Sequence, residues 1–131
     1  MFAYRWPLLI ALSSILLLQL TTYWVAWARV RYGVKAPAIS GHPTFERIYR
    51  IQMNTLEALV LFLPVLGLAT WFGNPWIAGG LGTIWLLGRI AYLFMYVHNP
   101  GSRGPAFTLA SLAQIALLIQ AVIALASSVP H

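Results

Sequence analysis

Polar side chains recur at helical spacing along one short, otherwise apolar segment of the chain. At about 100° per residue, four of them fall on one narrow face of a helix: Arg47, Arg50, Asn54 and Glu57. Glu57 would lie about 10 Å further along the helix axis than Arg50. An ionisable group at membrane depth costs several kcal/mol, and functional use is the default interpretation. The stripe therefore predicts a ligand site in which Glu57 binds an ammonium group; the alternative is a structural ion pair with Arg89.

A second polar face is predicted on the third helix, where Arg89, Tyr92 and Tyr96 occur at positions i, i+3 and i+7. Arg103 follows the helix-breaking Pro100–Gly101 pair, so it should lie on a loop or at the start of the next helix. Taken singly, these tyrosines are typical of an aromatic belt and this arginine of a charged loop. Together, the two faces and the loop offer guanidinium groups for carboxylates, a carboxylate for an ammonium and phenols as donors. Such a set suits a small zwitterionic or polyanionic ligand whose other half is apolar.

The composition places these faces in a membrane. The chain has 131 residues, about one domain, of which 60% are hydrophobic and 8% are charged. Soluble domains carry about 25% charged residues, and a mean hydropathy of +0.78 leaves too few polar groups to cover a surface that faces water. Four spans of about 20 residues would use roughly 80 positions. Any chemistry must therefore take place among the helices.

Several kinds of chemistry are excluded by residue type. The sequence contains no cysteine, so it has no disulfide, no thiol nucleophile and no cysteine-ligated metal, and a reacting thiol must come from a substrate. His42, His98 and His131 are scattered, and no metal site is expected. The net charge of +6 indicates a membrane-facing rim or a site for an anionic small molecule rather than a nucleic-acid surface.

The predicted fold is an all-α integral membrane bundle of four transmembrane helices, a single membrane domain over residues 1–131. Four apolar runs predict the spans, at about 7–28, 47–72, 76–97 and 104–129. A cleaved signal peptide is the alternative for the first run, because Arg5 precedes it and Ala26–Ala28 has the form of a cleavage site, but the run is long for such a peptide. The fourth run carries no charge, and its alanines recur at helical spacing, which predicts a close helix contact.

Basic residues are distributed unevenly between the two ends of the predicted bundle. The first and third connections and the adjoining helix ends carry Arg29, Arg31, Lys35, Arg47, Arg50 and Arg103. The opposite end shows Arg5 alone. The positive-inside rule therefore predicts that both connections are cytoplasmic and that both termini lie outside. We expect a multi-pass protein of the bacterial inner membrane in preference to the endoplasmic reticulum.

The polar segment resembles a known family signature. The run from Phe45 to Glu57, followed by Leu61–Leu63, is similar to the signature of the membrane-associated proteins in eicosanoid and glutathione metabolism, the MAPEG family. The similarity extends upstream to Arg29 and downstream through 88–92 to Arg103, and the sequence looks most like the branch that holds leukotriene C synthase and the microsomal glutathione transferases. The resemblance implies a four-helix membrane bundle assembled as a homotrimer, with glutathione bound between neighbouring subunits near the cytoplasmic interface.

The resemblance also implies roles for individual residues. Five match positions that hold glutathione in one subunit: Arg50, Asn54, Glu57, Tyr92 and Tyr96. Two match contacts that the adjacent subunit supplies: Arg29 and Gln52. Arg103 matches the catalytic arginine that stabilises the glutathione thiolate. Apart from this match, Arg47 and Arg89 are expected to be structural or to support the residues that contact the ligand. The chain departs from the better-studied members at Ala58, where they place a tyrosine, and at His98, where a second arginine can occur.

The residues and the resemblance together predict a membrane-embedded glutathione transferase. With glutathione as co-substrate, it would activate the thiol for attack on a lipophilic electrophile that enters from the bilayer, and would reduce lipid hydroperoxides with the same thiolate, a role in detoxification. The expected partners are further copies of the chain, glutathione, the lipophilic substrate and membrane lipid, and no nucleic acid. Two alternatives stay open: a non-catalytic lipid-binding scaffold of the same family, and a small multidrug exporter, whose essential acid would lie in the first span, where this sequence has none.

Overall fold

The fold is a bundle of long α-helices. The computed structural model describes residues 2–128. Within that range the α-helices are α1 (Phe2–Tyr32), α2 (Pro43–Phe72), α3 (Pro75–His98) and α4 (Gly104–Ser127), and a 3₁₀ turn, Pro100–Ser102, precedes α4. Each of the four is long and apolar enough to cross a membrane. The predicted all-helical fold with four membrane-crossing helices is thereby confirmed.

A polar cap and a proline set the start of both α2 and α3. At α2, the Nδ1 atom of His42 accepts a hydrogen bond from the Thr44 amide at 3.1 Å. At α3, the Oδ1 atom of Asn74 accepts one from the Trp76 amide at 2.9 Å. Each cap is followed by a proline, whose fixed φ and missing N–H suit the first helical position. Helix α2 therefore begins at Pro43, ahead of the predicted 47–72 span.

The other predicted spans coincide with single helices. Helix α1 contains 7–28, and α3 contains 76–97. Helix α4 ends at Ser127, whereas the predicted fourth span reached 129; Val129 and His131 lie outside the described residues. The positions at which each helix enters and leaves the bilayer stay a prediction.

Small residues bring α3 and α4 into close contact. A Cβ atom on Gly88 would lie 3.1 Å from the Cβ atom of Ala110, so a larger side chain would force the helices apart. The alanine stripe of α4 is buried, as its spacing predicted: Ala106, Ala110, Ala113 and Ala121, with Leu117 between them. Next to this contact, Phe62 of α2 stacks on Trp85 of α3 with ring centroids 3.7 Å apart. This core fixes α2, α3 and α4 against one another.

Large apolar side chains cover the outside of the bundle. Leu12 of α1, Val60 of α2, Leu87 of α3 and Ile123 of α4 are each about 60% exposed, at 63%, 65%, 59% and 61%. Water would oppose an apolar surface that continues over all four helices, whereas lipid tails solvate it. The chain is therefore an integral membrane protein.

Candidate active site

Five of the predicted ligand residues line a single cavity. This polar cavity, of about 520 Å³, lies between α2, α3 and α4 and is lined by Arg50, Asn54, Tyr92, Tyr96, Arg103, Gly104 and Phe107. Helical spacing explains the grouping, because residues three or four apart lie side by side on a helix. Arg50 and Arg103 are exposed, so a water-soluble anion can reach both guanidinium groups. The structure thus brings together the predicted residues that could hold a polyanionic ligand.

Arginine and tyrosine side chains stack in a row along α3. The guanidinium carbon of Arg103 lies 5.2 Å from the centroid of the Tyr96 ring, and that of Arg89 lies 4.4 Å from the Tyr92 centroid. The two tyrosine centroids are 5.7 Å apart. Cation–π contact holds each guanidinium over a ring without using its N–H groups. The row therefore orients two positive charges while leaving donors available.

Arg103 lies where the sequence predicted, between the 3₁₀ turn and α4. Its Nη1 atom donates a hydrogen bond to the Pro100 carbonyl at 2.9 Å, which fixes the side chain against its own loop. A guanidinium has five N–H donors. One bond to the loop and one ring contact thus orient Arg103 and leave donors for a ligand in the polar cavity.

A second cavity shares a wall, Asn54 and Phe107, with the polar cavity. This apolar cavity has a volume of about 350 Å³. Its walls are mainly hydrocarbon and aromatic: Ala58, Leu61, Trp85, Phe107, Ala110 and Ile115. Glu57 lines this cavity, whereas Arg50, from the same predicted stripe, lines the polar one. The stripe therefore runs from one cavity to the next, because it extends about 10 Å along the helix.

Arg89 also lines the apolar cavity. Its side chain is 4% exposed, and its Nη2 atom donates to the Thr55 hydroxyl at 3.3 Å. Its Nε atom is buried and has no hydrogen-bond partner among the described residues. The polar partner of Arg89 in residues 2–128 is thus a neutral hydroxyl, and the structural ion pair with Glu57 that the sequence left open is not among its hydrogen bonds.

Arg29 and Gln52 lie outside both cavities and are bonded within their own chain. Arg29 donates through Nη1 to the Ala38 carbonyl at 2.7 Å and to the Val34 carbonyl at 3.3 Å. The Nε2 atom of Gln52 donates to the Thr22 hydroxyl at 3.1 Å. Arg29 thus fixes the connection between α1 and α2. That either residue reaches a neighbouring subunit's ligand stays a prediction.

Arg47 connects α2 to the end of α3. Its Nη1 atom donates to the Val97 carbonyl at 3.5 Å, and a positive charge at a helix C-terminus is favourable. This contact between two helices fits the structural role predicted for Arg47.

Helix α4 contributes more to the cavities than its sequence indicated. Phe107 lines both cavities, and Ser111 and Gln114 line the apolar one. Their spacing, i, i+4 and i+7, is the available signal. These residues were not predicted to line a site, because an uncharged span is most simply interpreted as a surface for helix packing.

The chain is similar in sequence to known proteins. Residues 7–123 match the MAPEG family. A protein of Synechocystis sp., described only as uncharacterized, is 41% identical over 120 residues, which cover 92% of this chain and 88% of that protein. Human microsomal glutathione S-transferase 2 is 38% identical over 94 residues, and bovine leukotriene C4 synthase is 34% identical over 94 residues.

The chain belongs to the MAPEG family. The matched segment covers 72% of this chain and 63% of both the human and the bovine relative, so it spans under two thirds of those proteins. The predicted family is thereby confirmed.

Proposed function

We propose that the protein is a membrane-embedded glutathione transferase that activates the glutathione thiol for attack on lipophilic electrophiles. The observation that carries this proposal is the polar cavity, in which Arg50, Asn54, Tyr92, Tyr96 and Arg103 come together from two helices and a loop. The relatives named as a glutathione transferase and as leukotriene C4 synthase support it.

The charges of glutathione match the groups around the polar cavity. The tripeptide has two carboxylates, one ammonium and one thiol. Arg50 is an exposed guanidinium that can bind a carboxylate, and Asn54 and Tyr92 can donate neutral hydrogen bonds. Glu57, at the adjoining end of the apolar cavity, would bind the ammonium. The ligand would thus lie along the wall that the two cavities share.

Arg103 would act on the sulfur. The thiolate is the nucleophile, and an ordinary thiol with a pKa of about 8.5 is mostly protonated at neutral pH. A guanidinium beside the sulfur favours the anion, because an opposite charge nearby stabilises the ionised form. The proton passes to water. The protein needs no nucleophile of its own, in keeping with a sequence that has no cysteine.

The reaction then depends on the second substrate. With an electrophilic carbon, the sulfur lone pair forms the new bond and the leaving group departs with its bonding pair. With a lipid hydroperoxide, the thiolate attacks a peroxide oxygen and an alkoxide leaves, which takes a proton from water. A second glutathione reduces the sulfenic product to the disulfide and water. In both cases the apolar cavity offers a place for the lipophilic partner beside the thiolate.

Assembly and orientation complete the proposal. We propose a homotrimer in which Arg29 and Gln52 of one subunit complete the glutathione site of the next. We also propose that the end of α1 that carries Arg29 and the turn that carries Arg103 are cytoplasmic, in a bacterial inner membrane. The exposed guanidinium groups of the polar cavity would then face the compartment that holds glutathione.

The test is glutathione binding to the purified protein in detergent, followed by thiolate absorbance and by conjugation of a benzyl chloride. Binding with a thiolate signal near neutral pH and with turnover supports the transferase. Binding without a thiolate signal or turnover would indicate the non-catalytic scaffold instead. Absence of binding would contradict the proposal.

A further inference from the structure

Arg103 is an exposed arginine on a turn, yet its guanidinium group has a defined position. Its central carbon lies 5.2 Å from the centroid of the Tyr96 ring, and its Nη1 atom donates to the Pro100 carbonyl at 2.9 Å. An arginine side chain loses considerable conformational freedom when it is held in one place. The position of the Arg103 charge therefore depends on how firmly these two neighbours are fixed.

The two neighbours are fixed in different ways. Tyr96 belongs to α3, and its ring lies 5.7 Å from that of Tyr92 on the same helix. Pro100 belongs to the 3₁₀ turn Pro100–Ser102, and none of the three residues of this turn is buried. Packing therefore does not hold the Pro100 carbonyl in place, and hydrogen bonds within the turn must do so.

Asn99 supplies the hydrogen bonds that close this turn. Its Oδ1 atom accepts from the Gly101 amide at 3.2 Å. Its carbonyl accepts from the amide of Ser102 at 2.9 Å and from the Ser102 hydroxyl at 2.7 Å. Its own amide donates to the Met95 carbonyl at 2.8 Å. Asn99 thus joins the closed turn to the end of α3.

Asn99 is placed to act on the turn rather than on a ligand. Its side chain is exposed and neutral, and it lines neither the polar cavity nor the apolar cavity. An effect of Asn99 on a reaction in the polar cavity would therefore pass through the Pro100 carbonyl and the Arg103 guanidinium that is bonded to it.

We propose that Asn99 is a positioning residue, which closes the turn so that the Pro100 carbonyl holds the Arg103 guanidinium beside the reacting sulfur. A charge that is already in place stabilises an anion without the cost of reorganisation, and a small displacement of it lowers the rate. This inference rests on the proposed transferase function and adds to it a residue that does not contact the substrate.

The other charged or titratable groups around the Arg103 charge stay in place when Asn99 is changed. Arg50 faces the polar cavity from α2, and Tyr92 and Tyr96 face it from α3. His98 precedes Asn99 in the chain and is exposed. The hydrogen bonds of the Asn99 side chain in residues 2–128 involve none of these groups. A change in the pKa of the bound thiol in an Asn99 variant would therefore report on Arg103.

The test is the pH dependence of benzyl chloride conjugation by Asn99→Ala, with the uncatalysed rate subtracted. At neutral pH kcat should fall about threefold to tenfold, the size of effect expected for loss of one cap, and the KM for glutathione should change little. The apparent pKa of the bound thiol should lie between the values in the unchanged protein and in Arg103→Ala, so the defect should shrink at alkaline pH. Asn99→Ser, which keeps a cap acceptor, should restore most of the rate.

Asn74→Ala is the matched control. Asn74 caps the other end of α3, where its Oδ1 atom accepts from the Trp76 amide at 2.9 Å, and a proline follows it as one follows Asn99. Loss of this cap should lower the melting temperature without moving the thiol pKa. A loss of folded protein lowers the rate by the same factor at every pH, so the pH profile separates positioning from stability.

The double variant tests whether Asn99 acts through Arg103. In the Arg103→Ala background, Asn99→Ala should change kcat less than about twofold, because no guanidinium remains to be positioned. If Asn99→Ala does not fold, Ser102→Ala, which removes the 2.7 Å bond to the Asn99 carbonyl, should give a smaller shift of the thiol pKa in the same direction.

Three results would overturn the inference. The first is an unchanged thiol pKa in Asn99→Ala, or in Ser102→Ala where that variant replaces it. The second is an equal shift of the thiol pKa in Asn74→Ala. The third is the same fall in kcat with and without Arg103. Absence of conjugation by the unchanged protein, or a normal rate in Arg103→Ala, would instead contradict the proposed function on which the inference rests.

Discussion

The two cavities differ in how their charged groups are stabilised. Arg50 and Arg103 in the polar cavity are exposed and can be hydrated, whereas Arg89 in the apolar cavity is 4% exposed and depends on Thr55. Exposed charges contribute about 1 kcal/mol or less to folding, whereas a buried charged donor that loses its acceptor costs about 1–3 kcal/mol. Substitutions of Arg50 and Arg103 should therefore affect function alone, and removal of the bond between Arg89 and Thr55 should affect folding as well.

The largest expected effect is on catalysis in the polar cavity. Arg103→Ala should lower kcat for benzyl chloride conjugation roughly 10²–10³-fold at neutral pH, the usual cost of removing a group that stabilises the reacting anion. Glutathione binding should change little, because Arg50, Asn54 and the tyrosines, which line the same cavity, would still hold the tripeptide in the proposed function. Steady-state kinetics beside glutathione titration measures both. An unchanged rate and thiolate absorbance would remove Arg103 from the mechanism and leave the Tyr92 and Tyr96 hydroxyls as candidates.

The pH profile of Arg103→Ala follows from the same charge. In the proposed function the guanidinium would hold the pKa of the bound thiol below about 8.5, so the thiolate would already be formed near neutral pH. Without it the thiol keeps its ordinary pKa, and the rate should rise about tenfold per pH unit until about pH 8.5. The defect should therefore shrink at alkaline pH. A defect that is constant with pH would indicate that Arg103 binds rather than ionises glutathione.

The next effect is on stability in the apolar cavity. Thr55→Val removes the hydroxyl that accepts from Arg89 and should lower the free energy of unfolding by about 1–3 kcal/mol, because a buried charged donor loses its partner. Thr70→Val is the matched control. Both hydroxyls bond to the carbonyl four residues earlier, but the Thr70 hydroxyl has no charged neighbour among its hydrogen bonds in the described residues. Equal melting temperatures in detergent for the two variants would show that Arg89 does not need Thr55.

A smaller effect is expected where the cavities meet. Glu57→Gln should weaken glutathione binding about tenfold, or about 1.4 kcal/mol, through loss of the ammonium contact. The ligand-free melting temperature should stay nearly the same, because Glu57 is exposed. Glu46→Gln, at the start of α2, is the control for removing a glutamate elsewhere. A large fall in the ligand-free melting temperature would favour the structural pair with Arg89 that the sequence left open.

Periodicity explains what could be predicted from sequence. The 3.6-residue repeat fixes which side chains share a face, so Arg50 and Asn54 on α2, and Tyr92 and Tyr96 on α3, were expected side by side. The alanines of α4 likewise predicted a buried contact, confirmed by the approach of Ala110 to Gly88. The fold and most of the polar cavity follow from these local rules.

Tertiary packing decided the rest. Glu57 and Arg50 line different cavities. Which cavity each one faces depends on how α4 packs against α2, and local sequence patterns do not predict that packing. Phe107 is apolar, so its spacing from Ser111 and Gln114 was the signal available for it, although it lines both cavities. The bonds of Arg29 to the Val34 and Ala38 carbonyls depend on the conformation of the α1–α2 connection, which propensity does not fix.

The last and smallest effect tests whether the polar cavity is completed by a neighbour. Arg50 and Arg103 line the cavity of one chain, whereas Arg29 is proposed to act on the next. When Arg29→Ala and Arg50→Ala chains are co-expressed in equal amounts, random assembly should leave about a quarter of the sites with both arginines, because each site needs one particular chain on each side. Glutathione titration of the co-purified protein measures that recovery against either variant alone. Arg50→Ala co-expressed with Glu57→Gln is the matched control and should restore no complete site, because both residues come from the same chain. If the Arg29→Ala mixture recovers no more than this control, Arg29 acts only by holding its own connection through the Val34 and Ala38 carbonyls, and the polar cavity binds its ligand with the residues of a single chain.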